Sequence, residues 1–146
     1  MVACITGKGV NTSLTIFNTL NMKEIHVFKL GFKVGQIIWN EFDDEIYSSG
    51  TETNTINIFK ISTKEKVNSL CMNSKISFLR YDYLTKKVLI SSGNSIFTIE
   101  NDQSITSVTP QITNFDYVFP IEGHYLAANN KGTLFYSNSM EFEKYQ

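Results

Sequence analysis

The chain has 146 residues, 42% of them hydrophobic, with 13 basic side chains against 14 acidic ones. That length can bury the core of one ordinary domain, and a formal charge of −1 excludes a polybasic nucleic-acid arm or an acidic tail. Sixteen Ile and 14 Asn beside nine Leu and three Ala exclude a helical bundle, and 19 aromatic residues exclude a solvated coil.

In chain order, the first predicted strand is Ala3-Cys4-Ile5-Thr6-Gly7, an aliphatic run closing in small residues. A strand opening on Ser13-Leu14 follows, then a weaker one from Glu24 to Leu30. Next comes a pattern of aliphatic, apolar and aromatic positions, Val34, Ile37 and Trp39, and a turn at Asn40-Glu41-Phe42-Asp43-Asp44. The same order then repeats. Ile46-Tyr47-Ser48-Ser49-Gly50, Thr55-Ile56 and Lys66 to Cys71 are followed by Ile76, Leu79 and Tyr81 and a turn from Asp82 to Lys87. Leu89-Ile90-Ser91-Ser92-Gly93, Ser95-Ile96 and Ser104 to Thr109 lead to Ile112, Phe115 and Tyr117 and a turn from Pro120 to Gly123. Leu126-Ala127-Ala128-Asn129-Asn130, Thr133-Leu134 and a last strand from Met140 to Tyr145 complete the series.

Three columns therefore recur in phase. Gly7, Gly50 and Gly93 are 43 residues apart, and the hydroxyl-aliphatic pairs recur every 38 to 42 residues. Each column is too short for a helix and rich in β-branched or aromatic residues, which predicts strands. Four antiparallel strands per unit of about 40 residues, joined by tight turns, describe one blade of a β-propeller. The expected fold is all-β, an incomplete or half propeller forming a single domain. Its blades fall at about residues 1–30 (lacking a first strand), 33–72, 75–109 and 111–146. A blade cannot bury both faces alone, so an open stack invites association with another chain that completes the ring, or with a second copy.

These residues resemble the WD-repeat β-propellers. Ile76-Ser77-Phe78-Leu79-Arg80-Tyr81-Asp82-Tyr83 looks like that family's innermost strand and its hairpin; Ile46 to Gly50 and Thr55-Ile56-Asn57-Ile58-Phe59-Lys60 look like its second and third strands. Phe17 and Phe59 stand where the family carries Trp, and Asn18 and Lys60 where it carries Asp. The Trp-Asp and Gly-His signatures are absent, Gly31-Phe32 being nearest to the latter, so the resemblance implies the fold without the family's buried His-Asp-Ser/Thr network.

No catalytic, cofactor-binding or metal-binding constellation emerges. Cys4 and Cys71 are too few and too far apart for a metal knuckle or disulfide framework and read as small buried thiols. His26 falls in an outermost strand, where exposure is expected, and His124 beside a turn; neither has a partner at ligand spacing. Glu41, Asp43, Asp44 and Glu45 are the densest acids but lack the spacing of a calcium loop and read as a hairpin turn. Gly7-Lys8-Gly9 precedes a strand rather than a helix, so it reads as a connection and not a phosphate loop. Arg80, the only arginine, is expected in an ordinary ion pair. Trp39, Tyr81 and Tyr117 read as blade-to-blade packing.

The propeller plan gathers Lys8, Lys33, Lys75 and Lys131 on one loop face, a candidate surface for an acidic partner. The opposite rim receives Glu41, Asp43, Asp44, Asp82, Glu100, Asp102 and Glu122 with Lys60, Lys64, Lys86 and Lys87. The expected function is a non-catalytic protein-interaction scaffold without cofactors, binding protein and not nucleic acid. No apolar run approaches a membrane span and the N-terminus lacks a secretory pattern, so an intracellular, cytoplasmic protein is expected. The alternative reading is a small propeller enzyme, or a ligand- or sugar-binding β-protein, with its site at the channel mouth.

Overall fold

The computed structural model describes residues 1–40, 44–83, 85–93, 95–100, 102–108, 117–121, 124–129, 131–137 and 143–144. At 108, 117–121, 124, 125, 135, 137, 143 and 144 only the backbone is described. All regular structure among these residues is β-strand, arranged as four antiparallel sheets of sequence-consecutive strands. The first sheet holds β1 (Val2–Thr6), β2 (Ser13–Phe17) and β3 (Glu24–Lys29). The second holds β4 (Val34–Asn40), β5 (Glu45–Gly50), β6 (Thr55–Lys60) and β7 (Glu65–Cys71). The third holds β8 (Ile76–Asp82), β9 (Lys87–Ser92), β10 (Ser95–Ile99) and β11 (Ile105–Val108). The fourth holds β12 (Tyr117–Ile121), β13 (His124–Ala128), β14 (Leu134–Ser137) and β15 (Glu143–Lys144). The chain divides into two compact units, Met1–Cys71 and Met72–Gln146.

The hydroxyl-aliphatic column is the centre of each sheet. Leu14, Ile56 and Ile96 stand opposite Ile5, Ser49 and Ser91, and all three are buried. Alternation then aims Ile16, Ile58 and Thr98, two residues on, to the same face, and these are buried too. In the first unit the two sheets share a core of Leu14, Ile16, Phe28, Ile46, Phe59 and Ile61. The Phe28 and Phe59 rings meet there at 5.0 Å between centroids, and Ala3, Ile37 and Trp39 pack on its margin. In the second unit Ile76, Phe78, Leu79, Tyr81, Val88, Leu89 and Ile90 are buried, and β12 lies against β8.

The repeat extends to its irregularities. β4 and β8 each carry a one-residue register shift at the same place, at Gly35 and at Ser77. β3 and β7 also share one, at Ile25 and at Val67. Such bulges increase local twist and bend the strand away from flat pairing.

Two details differ from the sequence columns. Gly7, Gly50 and Gly93 keep a constant spacing but are not equivalent. Gly7 (φ 93°) and Gly93 (φ 62°) begin left-handed turns, whereas Gly50 ends β5 and pairs with Val34. The link from β5 to β6 spans four residues and that from β9 to β10 only two, so equal spacing hides unequal turns. In the fourth sheet Tyr117 stands opposite Ala128, the place of Gln36 and Phe78 rather than of Trp39 and Tyr81. There the strand continues through Pro120 to Ile121, leaving only two residues for the turn, so the expected Pro120–Gly123 turn is shorter than its sequence suggests. Ile112 and Phe115 lie outside the described residues.

Ile56→Ala is expected to lower unfolding free energy by about 2–5 kcal/mol and Ile56→Asp to abolish the urea transition, because a buried charge has no partner there. Leu134→Asp, in the same sequence column but exposed, should change it by less than about 1 kcal/mol.

Candidate functional site

Every sheet has two ends. One carries the β1–β2, β5–β6, β9–β10 and β13–β14 links and the approach to each first strand; we call it the proximal end. The distal end carries the first-to-second and third-to-fourth strand turns.

All four candidate lysines lie at proximal ends, exposed, on loops whose backbone is fixed. Lys8 sits in the β1–β2 loop, where its carbonyl accepts from Asn11 N (3.1 Å) and Thr12 Oγ1 donates to Gly9 O (2.6 Å). Lys33 immediately precedes β4, and its carbonyl accepts from Thr51 N in the β5–β6 link (3.0 Å). Lys75 repeats this arrangement before β8, its carbonyl accepting from Gly93 N (3.4 Å), while Ser92 Oγ donates to the neighbouring Ser74 O (2.6 Å). Lys131 lies in the β13–β14 turn, where Asn129 Oδ1 accepts from both Lys131 N (3.1 Å) and Thr133 N (2.9 Å). The first unit thus carries Lys8 and Lys33, and the second Lys75 and Lys131, each pair at proximal ends.

Backbone conformation separates the two ends. Among the described residues the positive-φ glycines, Gly7, Gly9, Gly31, Gly93 and Gly132, are all proximal. The positive-φ residues with side chains, Met22, Asp44, Lys64, Lys86 and Gln103, are all in distal turns. A left-handed residue with a Cβ costs roughly 1–2 kcal/mol, which glycine escapes. At Gly7 no alternative exists, because an added Cβ would lie 2.1 Å from the Asn11 carbonyl oxygen.

Distal acids are committed to structure. Asp44 accepts from Ser62 N (2.7 Å), Tyr47 OH donates to the buried Glu45 carboxylate (2.6 Å), and Thr85 Oγ1 donates to buried Asp82 (2.6 Å). Lys87 Nζ bridges to Glu100 Oε2 at 2.7 Å, and Thr98 Oγ1 donates to Glu100 Oε1 at 2.9 Å. The Lys87 hydrogen bond first, then Thr98, holds the Glu100 carboxyl below its ordinary range. Asp102 is lowered in the same direction by its bonds from Ser104. Glu45 and Lys60 occupy the corresponding cross-strand pair of the second sheet with the charges exchanged. Glu41, Asp43 and Glu122 lie outside the described residues.

The expectations change for the two cysteines and for His26. Cys4 and Cys71 are exposed rather than buried, because among the described residues each lies on an edge strand, β1 and β7, with one side uncovered. His26 is half-buried rather than exposed, its ring edge-on to Phe28 at 4.5 Å between centroids. His124 begins β13, opposite Ile121. Gly7-Lys8-Gly9 is a strand-to-strand loop. The exposed Arg80 guanidinium donates to Leu79 O (3.0 Å). Trp39 packs on the first unit's core, and buried Tyr81 meets Tyr83 edge-on at 4.9 Å, so both rings serve packing. Among the described residues no group of three His, Cys, Asp or Glu side chains is placed to hold a metal, and no helix is long and apolar enough to cross a membrane. Sequence reasoning did not identify the Lys87–Glu100–Thr98 cluster or the Asn129 cap; an Asn two residues before a Lys-Gly turn was the available signal for the second.

Comparison with solved structures places this architecture. Kluyveromyces lactis Hsv2p superposes with a TM-score of 0.63 at 18% identity, over 97% of this chain and 45% of its own. Kluyveromyces marxianus Hsv2 gives 0.62 at 14%, over 90% and 44%. A chain of the mitotic checkpoint complex gives 0.64 at 16%, over 92% and 44%. The four sheets are β-propeller blades. At these identities the likeness is one of fold, and the chain spans less than half the length of each of those propellers. No family model matches the sequence, and no curated protein does.

Gly7→Ala should lower the urea midpoint well beyond Gly132→Ala, whose added methyl meets open space and costs only the left-handed strain, about 1–2 kcal/mol. For Glu100, a folded-state pKa below the unfolded value means the Lys87 bond contributes fully above the unfolded value. That contribution is lost as pH falls through the folded one. Carboxyl NMR should therefore show Glu100 titrating lower than in Lys87→Met. The stability difference between the two proteins, under about 1 kcal/mol for so exposed a pair, should vanish in acid.

Proposed function

We propose that this chain is a non-catalytic protein-interaction module of WD-repeat-like blades, working inside the cell as part of a larger propeller or assembly and receiving an acidic protein segment at its proximal loops. The observation that carries this reading is the set of exposed lysines on fixed loops, Lys8 and Lys33 in one unit and Lys75 and Lys131 in the other. A loop already ordered by backbone hydrogen bonds loses little entropy when its side chain meets a carboxylate. The distal acids are engaged in hydrogen bonds that hold turns together. Two exposed cysteines outside any disulfide fit a reducing compartment such as the cytoplasm. Solved propellers of the same fold include a chain of a multi-protein assembly, the mitotic checkpoint complex.

The test is binding of a fluorescent Glu-Gly repeat peptide at two salt concentrations. Lys8→Glu with Lys33→Glu, and separately Lys75→Glu with Lys131→Glu, should weaken salt-sensitive binding by about tenfold, or about 1.4 kcal/mol. The distal control Lys60→Glu with Lys64→Glu should leave it unchanged. Equal losses for proximal and distal pairs would refute the reading.

A further inference from the structure

The proximal lysines of the first unit have an acidic neighbour. Exposed Glu52, in the β5–β6 link, is the one acid at a proximal end among the described residues; the others lie in or beside distal turns. Glu52 follows Thr51, whose N–H donates to Lys33 O (3.0 Å). The Lys33 and Glu52 side chains therefore leave adjoining chain segments, where salt screens one charge from the other only in part.

The link that carries Glu52 is held at both ends. Gly50 N donates to Thr53 Oγ1 (3.1 Å), Thr53 Oγ1 donates to Thr55 O (3.4 Å), and Asn54 Nδ2 donates to Cys71 Sγ on β7 (3.4 Å). Comparison between sheets isolates the charge. Lys75 repeats the Lys33 arrangement in the third sheet, but the link it bonds to is the uncharged Gly93-Asn94. In the first and fourth sheets the corresponding loops carry Lys8 and Lys131. The second sheet thus presents an acid where two of its counterparts present a lysine and the third presents no charge.

We propose that Glu52 is a specificity-determining residue of the first unit, and that the segment received there is of mixed charge: acidic residues for Lys8 and Lys33, with a lysine or arginine between them for Glu52. A carboxylate that approaches Lys33 also approaches Glu52 and is repelled by it. A cation next to that carboxylate in the partner turns the repulsion into a second attraction, so uniformly acidic segments are disfavoured while mixed ones are selected. This rests on the reading of the proximal lysines as a docking surface and names the partner more closely.

The test compares two fluorescent peptides of equal length and equal acid content, a Glu-Gly-Glu-Gly repeat and a Glu-Lys-Glu-Gly repeat. Both are titrated at low salt onto the full chain carrying Lys75→Glu and Lys131→Glu, so that the lysines of the first unit dominate. Glu52→Gln, which keeps the shape of the side chain, should tighten the acidic peptide and weaken the mixed one. The ratio of their dissociation constants should shift by about fourfold, the scale of exposed charge pairs. Glu65→Gln makes the same change of charge at a distal end and should leave the ratio as it was; the urea midpoint should hold in both variants. An equal ratio in the two variants, with binding still lost in Lys8→Glu with Lys33→Glu, would overturn the role of Glu52 alone. Binding indifferent to Lys8 and Lys33 would overturn the docking surface and Glu52 together.

Discussion

The structure depends on one constraint, the period-two alternation of the third strand of the first three blades held in antiparallel register with the second. Leu14 and Ile16, Ile56 and Ile58, and Ile96 and Thr98 are buried because their neighbours on both sides of the ladder hold them to one face. A slip of one residue would carry Asn57 inward and Ile56 out, and every packed pair would fail at once. From this follow the stacking of Phe28 on Phe59, the sealing of Ser48 and Ser49 beneath β4, and the fixed positions of the loops at either end.

The two ends of the sheets answer to different physics. Distal turns tolerate left-handed Asp44, Lys64, Lys86 and Gln103, whose strain is offset by local bonds such as Asp44 to Ser62 and Gln103 N to Glu100 O. Proximal turns place glycine at their left-handed positions, and at Gly7 the backbone of Asn11 also comes too close for a Cβ. Proximal lysines are exposed on loops fixed by backbone hydrogen bonds, and distal acids accept hydrogen bonds that hold the turns together.

Much of this was legible in the residues. The three columns located the strands, and the hydroxyl-aliphatic column identified the buried centre at Leu14, Ile56 and Ile96. The Val34, Ile37 and Trp39 pattern marked the first strand and also described what pairs with the second. The pattern misled where turn length changed: Gly50 sits in a strand while Gly7 and Gly93 sit in turns, and Tyr117 occupies the place of Gln36. Spacing along the chain adds strand and turn together, so a longer strand and a shorter turn leave the same period. The exposure of Cys4 and Cys71 was hidden for a related reason, since an apolar run reads alike in a covered strand and in an edge strand.

The sequence by itself determined an all-β chain, its blade-like period, its central aliphatic column and the residues that reach the loops, because alternation, β-branching and turn chemistry act over a few neighbouring residues. Tertiary structure alone decided which strands lie at an edge, which turns require a left-handed residue, and that Glu100 meets Lys87 across the ladder. These depend on cross-strand register, which couples residues far apart in the chain through hydrogen bonds that no local pattern contains.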